Sequence, residues 1–318
     1  MQTKTILVTG GAGFIGSALA KRLSSEGNNV VVVDNFNAYY DVGLKRAREK
    51  HFLSGISVIE GDITSETFLN ELFSTHQFDV VAHLAAQAGV RYSVENPSIY
   101  VQTNVYGTQL LLEAMHKNNV KRMVYASTSS AYGNSTEVPF KESAAADKPV
   151  SIYAATKRSA ELIAHTYLAL YGMNSTCLRF FTVYGPWSRP DMAMLKFAQK
   201  INAGEPIDIY NQGDLRRDFT YIDDIVEGFV RAIETPLGYE IINLGNGSPV
   251  ALLDFVEALE KKLGVVARKN LLPMQEGDVY ETYADITKAR ELLGYEPKTS
   301  FDDGVQAFVD WYNNFYKK

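Results

Sequence analysis

Thr9-Gly10-Gly11-Ala12-Gly13-Phe14-Ile15-Gly16 decides the fold. The stretch follows an apolar run, Ile6-Leu7-Val8, and opens a helical pattern from Ile15 to Glu26. Gly10 permits a tight turn. Gly13 lets backbone approach a pyrophosphate, and Gly16 lets helix and strand pack closely. The helix N-terminus, with Phe14 and Ile15 in its first turn, adds free N–H groups and partial positive charge. Between a strand and a helix, this spacing reads as a dinucleotide-binding turn. A purely structural Gly-rich turn is the alternative.

Working outward, the same rhythm repeats. Apolar runs at Val30–Val33, Ile56–Ile59, Val80–Ala82 and Met123–Tyr125 alternate with helical stretches near 67–73, 99–117 and 153–171. Runs without polar alternation suit strands buried on both faces. Strands alternating with helices define the fold class: α/β, a doubly wound parallel sheet of the Rossmann type. Seven of the ten prolines lie beyond residue 180, where the pattern loosens into a smaller α/β region. Helical spacing returns at 223–233 and 252–263, and Ile241–Leu244 reads as a strand able to rejoin the large sheet. The expected organisation is a nucleotide-binding unit over 1–180, completed by segments near 218–245, and a substrate-binding unit over 181–318.

The 318 residues are 46% hydrophobic and 21% charged, which suits a sizeable packed core and excludes a disordered chain. With 31 basic against 37 acidic residues the net charge is -6, which argues against nucleic acid as partner. No apolar run is long enough to span a membrane. The single cysteine, Cys177, excludes an intrachain disulfide and suits a cytoplasmic protein. Five histidines lack metal-ligand spacing, so no metal is expected. The charged cluster from Lys45 to Lys50 reads as a solvated helix face.

Asp34 ends the second strand. A carboxylate there accepts from adenosine ribose hydroxyls and repels a 2′-phosphate, and Asn35 follows with no adjacent arginine, which favours NAD over NADP. Asp62, followed by Ile63, is a candidate acceptor for the adenine amino group or a helix N-cap. Tyr153 and Lys157 stand four apart on one helix face, downstream of Ser127-Thr128-Ser129-Ser130. Removing hydride from a carbinol needs a base on the hydroxyl proton. A free phenol near pKa 10 is too basic by about three units, roughly 4 kcal/mol. Lys157 and a positive nicotinamide can supply the missing field, and Thr128 can steady the reacting oxygen.

On these residues, together with His83–Tyr92, Arg179–Pro186 and Arg216–Tyr221, the chain resembles the extended short-chain dehydrogenase/reductases. Within them it is most similar to nucleotide-sugar epimerases, specifically the UDP-glucuronate 4-epimerases. The resemblance implies tightly held NAD, with Leu84, Ala85, Ala86 and Asn104 in the cofactor pocket. It also implies that Tyr153 takes the C4 hydroxyl proton as hydride leaves, that the 4-keto sugar rotates, and that hydride returns to the opposite face. Related dehydratases carry acidic side chains after the threonine; Ser129 and Ser130 stand there instead, against dehydration. Arg189 is the expected partner of a C6 carboxylate, with Thr182, Ser129 and Ser130 adding hydrogen bonds; a structural salt bridge is its alternative. Arg217 matches a diphosphate-binding position, Tyr210 can stack on uracil, Gln275 and Asp278 resemble a ribose site, and Arg91 is a second cation near the sugar or diphosphate. The resemblance further implies a homodimer through the helices at 99–117 and 153–171. The rivals are a neutral or N-acetylated UDP-hexose 4-epimerase, a UDP-glucuronate decarboxylase, and a silent NAD-binding scaffold.

Overall fold

The computed structural model describes residues 3–274 and 280–316. Its centre is a seven-stranded, wholly parallel sheet. The first six strands along the chain are β1 (Thr5–Thr9), β2 (Asn29–Asp34), β3 (Ser57–Glu60), β4 (Val80–His83), β5 (Arg122–Thr128) and β6 (Asn174–Phe180). The seventh is Tyr239–Leu244, which comes back after a long excursion to pair with β6. Across the sheet the order is Tyr239–Leu244, β6, β5, β4, β1, β2, β3. Both faces are covered. Ile6 and Val8 of β1 pack under the helices Phe14–Ser25 (α1) and Ile222–Glu234, while Leu7 between them packs under Glu66–Thr75, Thr108–Lys117 and Ile152–Tyr171. That double burial is why β1 lacks polar alternation.

The remaining short strands build the smaller region. Arg216–Tyr221 is flanked by Pro249–Ala251 and Glu281–Thr282 and pairs with Thr182–Tyr184. The C-terminal helix Phe301–Tyr316 docks over this region through Val305, Phe308 and Trp311.

Three sequence expectations need correcting or refining. The stretch 99–117 is not one α-helix, because Val101–Gly107 forms a π-helical turn between Pro97–Tyr100 and Thr108–Lys117. Asn104 sits in that turn, its amide reaching out to the Gln87 backbone, and a π-turn is where a helix re-aims such a side chain. The helix Val42–Phe52 (α2) is not a solvated charged face, since Lys45 and Arg48 are buried in it. The third is Asp62, which is not the helix N-cap; Ser65 is, accepting from the Phe68 N–H, while Asp62 accepts from Thr64.

The helix Ile152–Tyr171 carries the expected proton-handling pair. Ser151 caps its start by accepting from the Ala154 N–H, and Gly172 ends it in the left-handed conformation. Ala160 and Ala164 on its inner face permit close approach to the sheet. Glu161, fully buried, receives Arg179 of β6 in a two-point ion pair at 2.9 and 2.8 Å, with Ser127 and Arg158 as further donors. Burial opposes ionisation of Glu161, but these donors outweigh it and hold its carboxyl below the ordinary 4.5. The stability it contributes is therefore complete above its unfolded pKa and is lost as pH falls through the lower folded value. Glu161→Gln should cost about 3 kcal/mol in urea unfolding at neutral pH, with the difference from the parent shrinking in acid.

Candidate functional site

Two grooves meet at the C-terminal edge of the sheet, where a doubly wound fold gathers its ligands. The first is lined by Gly10, Gly13, Phe14, Ile15 and Gly16, by Asp34, Asn35 and Ile63, by Leu84, Ala85 and Ala86, and by Tyr153, Lys157 and Arg189. The glycine turn is cut to fit close backbone. Gly10 has φ +70° and its missing Cβ would meet the Ala85 nitrogen at 2.7 Å, while that of Gly13 would meet the Gly10 carbonyl oxygen at 2.9 Å. This shape and the N-terminus of α1 fit a dinucleotide pyrophosphate.

Asp34 lies at the groove's far end. Its carboxylate accepts from the N–H groups of Ala12 and Phe36 and from Lys45 Nζ at 3.2 Å. Lys45 lines the groove too, and the sequence reading missed it. Asp62 stands just behind, accepting from the Asn35 side-chain amide at 2.9 Å. Burial raises its carboxyl, but Asn35 and Thr64 prevail and hold it low. Asn104 is buried beneath the groove. It accepts from the Gln87 N–H and donates to the Gln87 carbonyl and the Thr156 hydroxyl, so it shapes the floor. His83 is buried between Thr9 and Thr108 and held neutral, its pKa lowered to about 3 by burial and by Lys157.

Tyr153, Thr128 and Lys157 converge at the inner end. The Thr128 hydroxyl lies close enough to the Tyr153 phenol to bear on its ionisation. Burial pushes that phenol above its ordinary value, while the Arg189 charge and the Thr128 hydroxyl act to lower it. Arg189, which sequence spacing had placed only beside the sugar carboxylate, is thus a cation that bears on Tyr153. Burial brings Lys157 down to about 7, and its Nζ rests 4.2 Å from the Tyr125 ring centre. Ser129 and Ser130 form the 3-10 turn directly after Thr128, with the Ser130 N–H donating to the Thr128 hydroxyl.

The second groove opens beside Arg189. Arg91, Thr182, Tyr210 and Arg217 all line it, and the Arg91 guanidinium lies 5.6 Å from the Tyr210 ring centre. Arg217 donates to the carbonyls of Arg216 and Tyr280. Tyr39, Asp191 and Lys196 also line this groove and were not foreseen. Gln275 and Asp278 lie outside the described residues. Trp187, beside Arg189, turns away from both grooves into His51, Phe52, Trp311 and Phe315. Among the described residues no cluster of metal-ligating side chains occurs, and no helix is long and apolar enough to cross a membrane.

Residues 6–245 match the model of the NAD dependent epimerase/dehydratase family, and the chain belongs to that family. Protein CapI of Staphylococcus aureus is 47% identical over 332 residues, covering 98% of this chain and 99% of its own length. UDP-glucuronate 4-epimerase 4 of Arabidopsis thaliana is 48% identical over 331 residues, covering 98% of this chain and 76% of that protein. The crystal structure of UDP-glucuronic acid 4-epimerase from Bacillus cereus, in complex with UDP-glucuronic acid and NAD, is 38% identical and superposes with a TM-score of 0.91 over 98% of this chain and 100% of that one.

Gly10→Ala places a methyl against the Ala85 backbone at a φ that side chains rarely adopt. It should weaken NADH binding at least about tenfold by fluorescence titration, the cost of even a small loss of fit at the phosphates.

Proposed function

We propose that this chain is an NAD-dependent UDP-glucuronate 4-epimerase that forms UDP-galacturonate through a transient 4-keto sugar. The observation that carries the reading is the placement of Tyr153 and Arg189 in the first groove, with Thr128 and Arg189 both bearing on the Tyr153 phenol. The names of the Arabidopsis and Bacillus relatives support it.

When bound on the glycine turn, NAD supplies a reversible hydride acceptor with a positive ring. The chain's own residues do the rest. Tyr153 holds and returns the C4 hydroxyl proton, and Thr128 steadies the reacting oxygen. Half-buried in the groove, Tyr153 needs positive charge to act as a base near neutral pH, and Arg189 works in that direction. Lys157, near 7, is poised to hold or pass a proton one turn below. Asp34 and Asn35 take the adenosine end, backed by Asp62, and Asn104 supports the pocket floor.

Arg189 receives the sugar's C6 carboxylate, joined by Ser129, Ser130 and Thr182. A 4-keto hexuronate is a β-keto acid that loses CO2 readily, so a carboxylate kept ionised and out of line with the carbonyl protects the intermediate. UDP occupies the second groove, with Arg217 and Arg91 facing its phosphates and Tyr210 its uracil; Gln275 and Asp278 are assigned to the nucleotide ribose on sequence grounds. Nucleotide binding belongs mainly to residues 1–180 with the returning segment near 218–245, and sugar-nucleotide binding to 181–318. The chain works in the cytoplasm as a homodimer. Ile99, Val101, Tyr106, Leu162 and Leu170, all exposed apolar residues on the two helical segments that would pair, support the dimer.

Incubation with UDP-glucuronate, UDP-glucose and UDP-N-acetylglucosamine, resolved by chromatography, should show the uronate turned over fastest; a preference for a neutral sugar overturns the assignment. Tyr153→Phe should lower kcat about a thousandfold while substrate binding stays within about threefold. Light scattering should give a mass about twice 35.4 kDa, and Leu170→Asp should return it to the monomer value.

A further inference from the structure

Arg189 is already engaged by a carboxylate. Its Nε and Nη2 donate to the two oxygens of Asp191, each at 2.9 Å, in the side-on, two-point geometry that a sugar carboxylate would use. Asp191 in turn accepts from the Tyr39 hydroxyl at 3.2 Å. The three residues straddle the junction of the grooves: Arg189 lines the first, Asp191 the second, and Tyr39 both. Burial opposes ionisation of Asp191, but Arg189 and Tyr39 hold its carboxyl below the usual aspartate range, so it is an anion.

We propose that Asp191 is an internal competitor for the Arg189 fork, standing in for the sugar carboxylate whenever that group is away, with Tyr39 retaining Asp191 when the sugar displaces it. The inference rests on the reading of Arg189 as the carboxylate receptor. Its logic is one of charge. An arginine facing a groove without a counterion would bind an anionic sugar strongly and release it slowly. Substrate and product carry the same carboxylate, and the intermediate's carboxylate must leave its first position for the ring to present its other face. A built-in carboxylate of equal charge, two residues along the same loop, offsets each departure. The device leaves neutral sugars untouched, because they do not contend for the fork. Neither Tyr39 nor Asp191 is placed among the groups that move the proton.

The test uses the NAD-loaded protein and calorimetry with UDP-glucuronate, UDP-glucose and UDP. Asp191→Asn removes the competing charge at nearly constant shape. It should bind UDP-glucuronate about five- to tenfold more tightly, with UDP-glucose and UDP within twofold of the parent, and its kcat for the uronate should fall several-fold. Asp191→Glu should restore both values towards those of the parent. Unchanged or weaker uronate binding in Asp191→Asn, or equal tightening for UDP-glucose, overturns the proposal, as does an Asp191→Glu variant that behaves like the asparagine one. Failure of the underlying reading shows up separately, in Arg189→Ala binding UDP-glucuronate as well as the parent does.

Discussion

The helix Ile152–Tyr171 is held by a charge that the core must hide. Glu161 is fully buried, and a carboxylate stripped of water is costly unless every lone pair is answered. Arg179, Arg158 and Ser127 answer them, from the adjacent strand, the same helix and the strand next to it. Such a pair fixes register more surely than apolar packing, since sliding by one residue would leave two unmatched charges. Tyr153 and Lys157 stand two turns and one turn before Glu161 on that helix, so their reach to Thr128 and to the groove is set by an interaction that touches no ligand. The same carboxylate also acts to raise Lys157, against the burial that lowers it.

A second buried cation holds the opposite wall. Arg48 of α2 is wholly enclosed, yet its partners are the carbonyls of Trp187 and Ser188 and the Tyr40 hydroxyl. Burial lowers its pKa for want of a closer anion. Trp187 takes φ +65°, a conformation that ordinary side chains avoid, and is kept there by aromatic packing on one side and Arg48 on the other. Arg189 leaves the next turn of this braced loop, while Lys45, one turn before Arg48, meets Asp34. One helix thus steadies both the Asp34 end of the first groove and the loop that carries Arg189.

Most of the architecture was legible because burial on both faces leaves an unmistakable mark: β1, β2, β4 and β5 read as unbroken apolar runs. Strand β6 did not, because Asn174, Ser175, Thr176 and Arg179 dilute its pattern, and Arg179 is apolar in neither type nor role. The glycine turn, Asp34 and the Tyr153–Lys157 spacing were legible since their geometry is local. What could not be read was anything joined only by folding. Tyr39 and Asp191 are 152 residues apart, Arg48 and Trp187 are 139 apart, and nothing in a run such as Lys45–Lys50 says which of its charges turn inward. Arg189 as a second cation bearing on Tyr153 escaped notice for the same reason: four residues along a helix is a visible neighbour, and a loop 36 positions later is not.

The sheet closes on a strand drawn from late in the chain. Tyr239–Leu244 completes the edge beside β6, yet between the two run the segments carrying Thr182, Arg189, Tyr210 and Arg217. Residues of the second groove and the Arg189 loop are therefore an insertion within the large parallel sheet, with more chain of the smaller region after it. No single scission of the polypeptide can divide the molecule into two self-sufficient halves: any fragment long enough to own the whole sheet already contains most of the neighbouring groove.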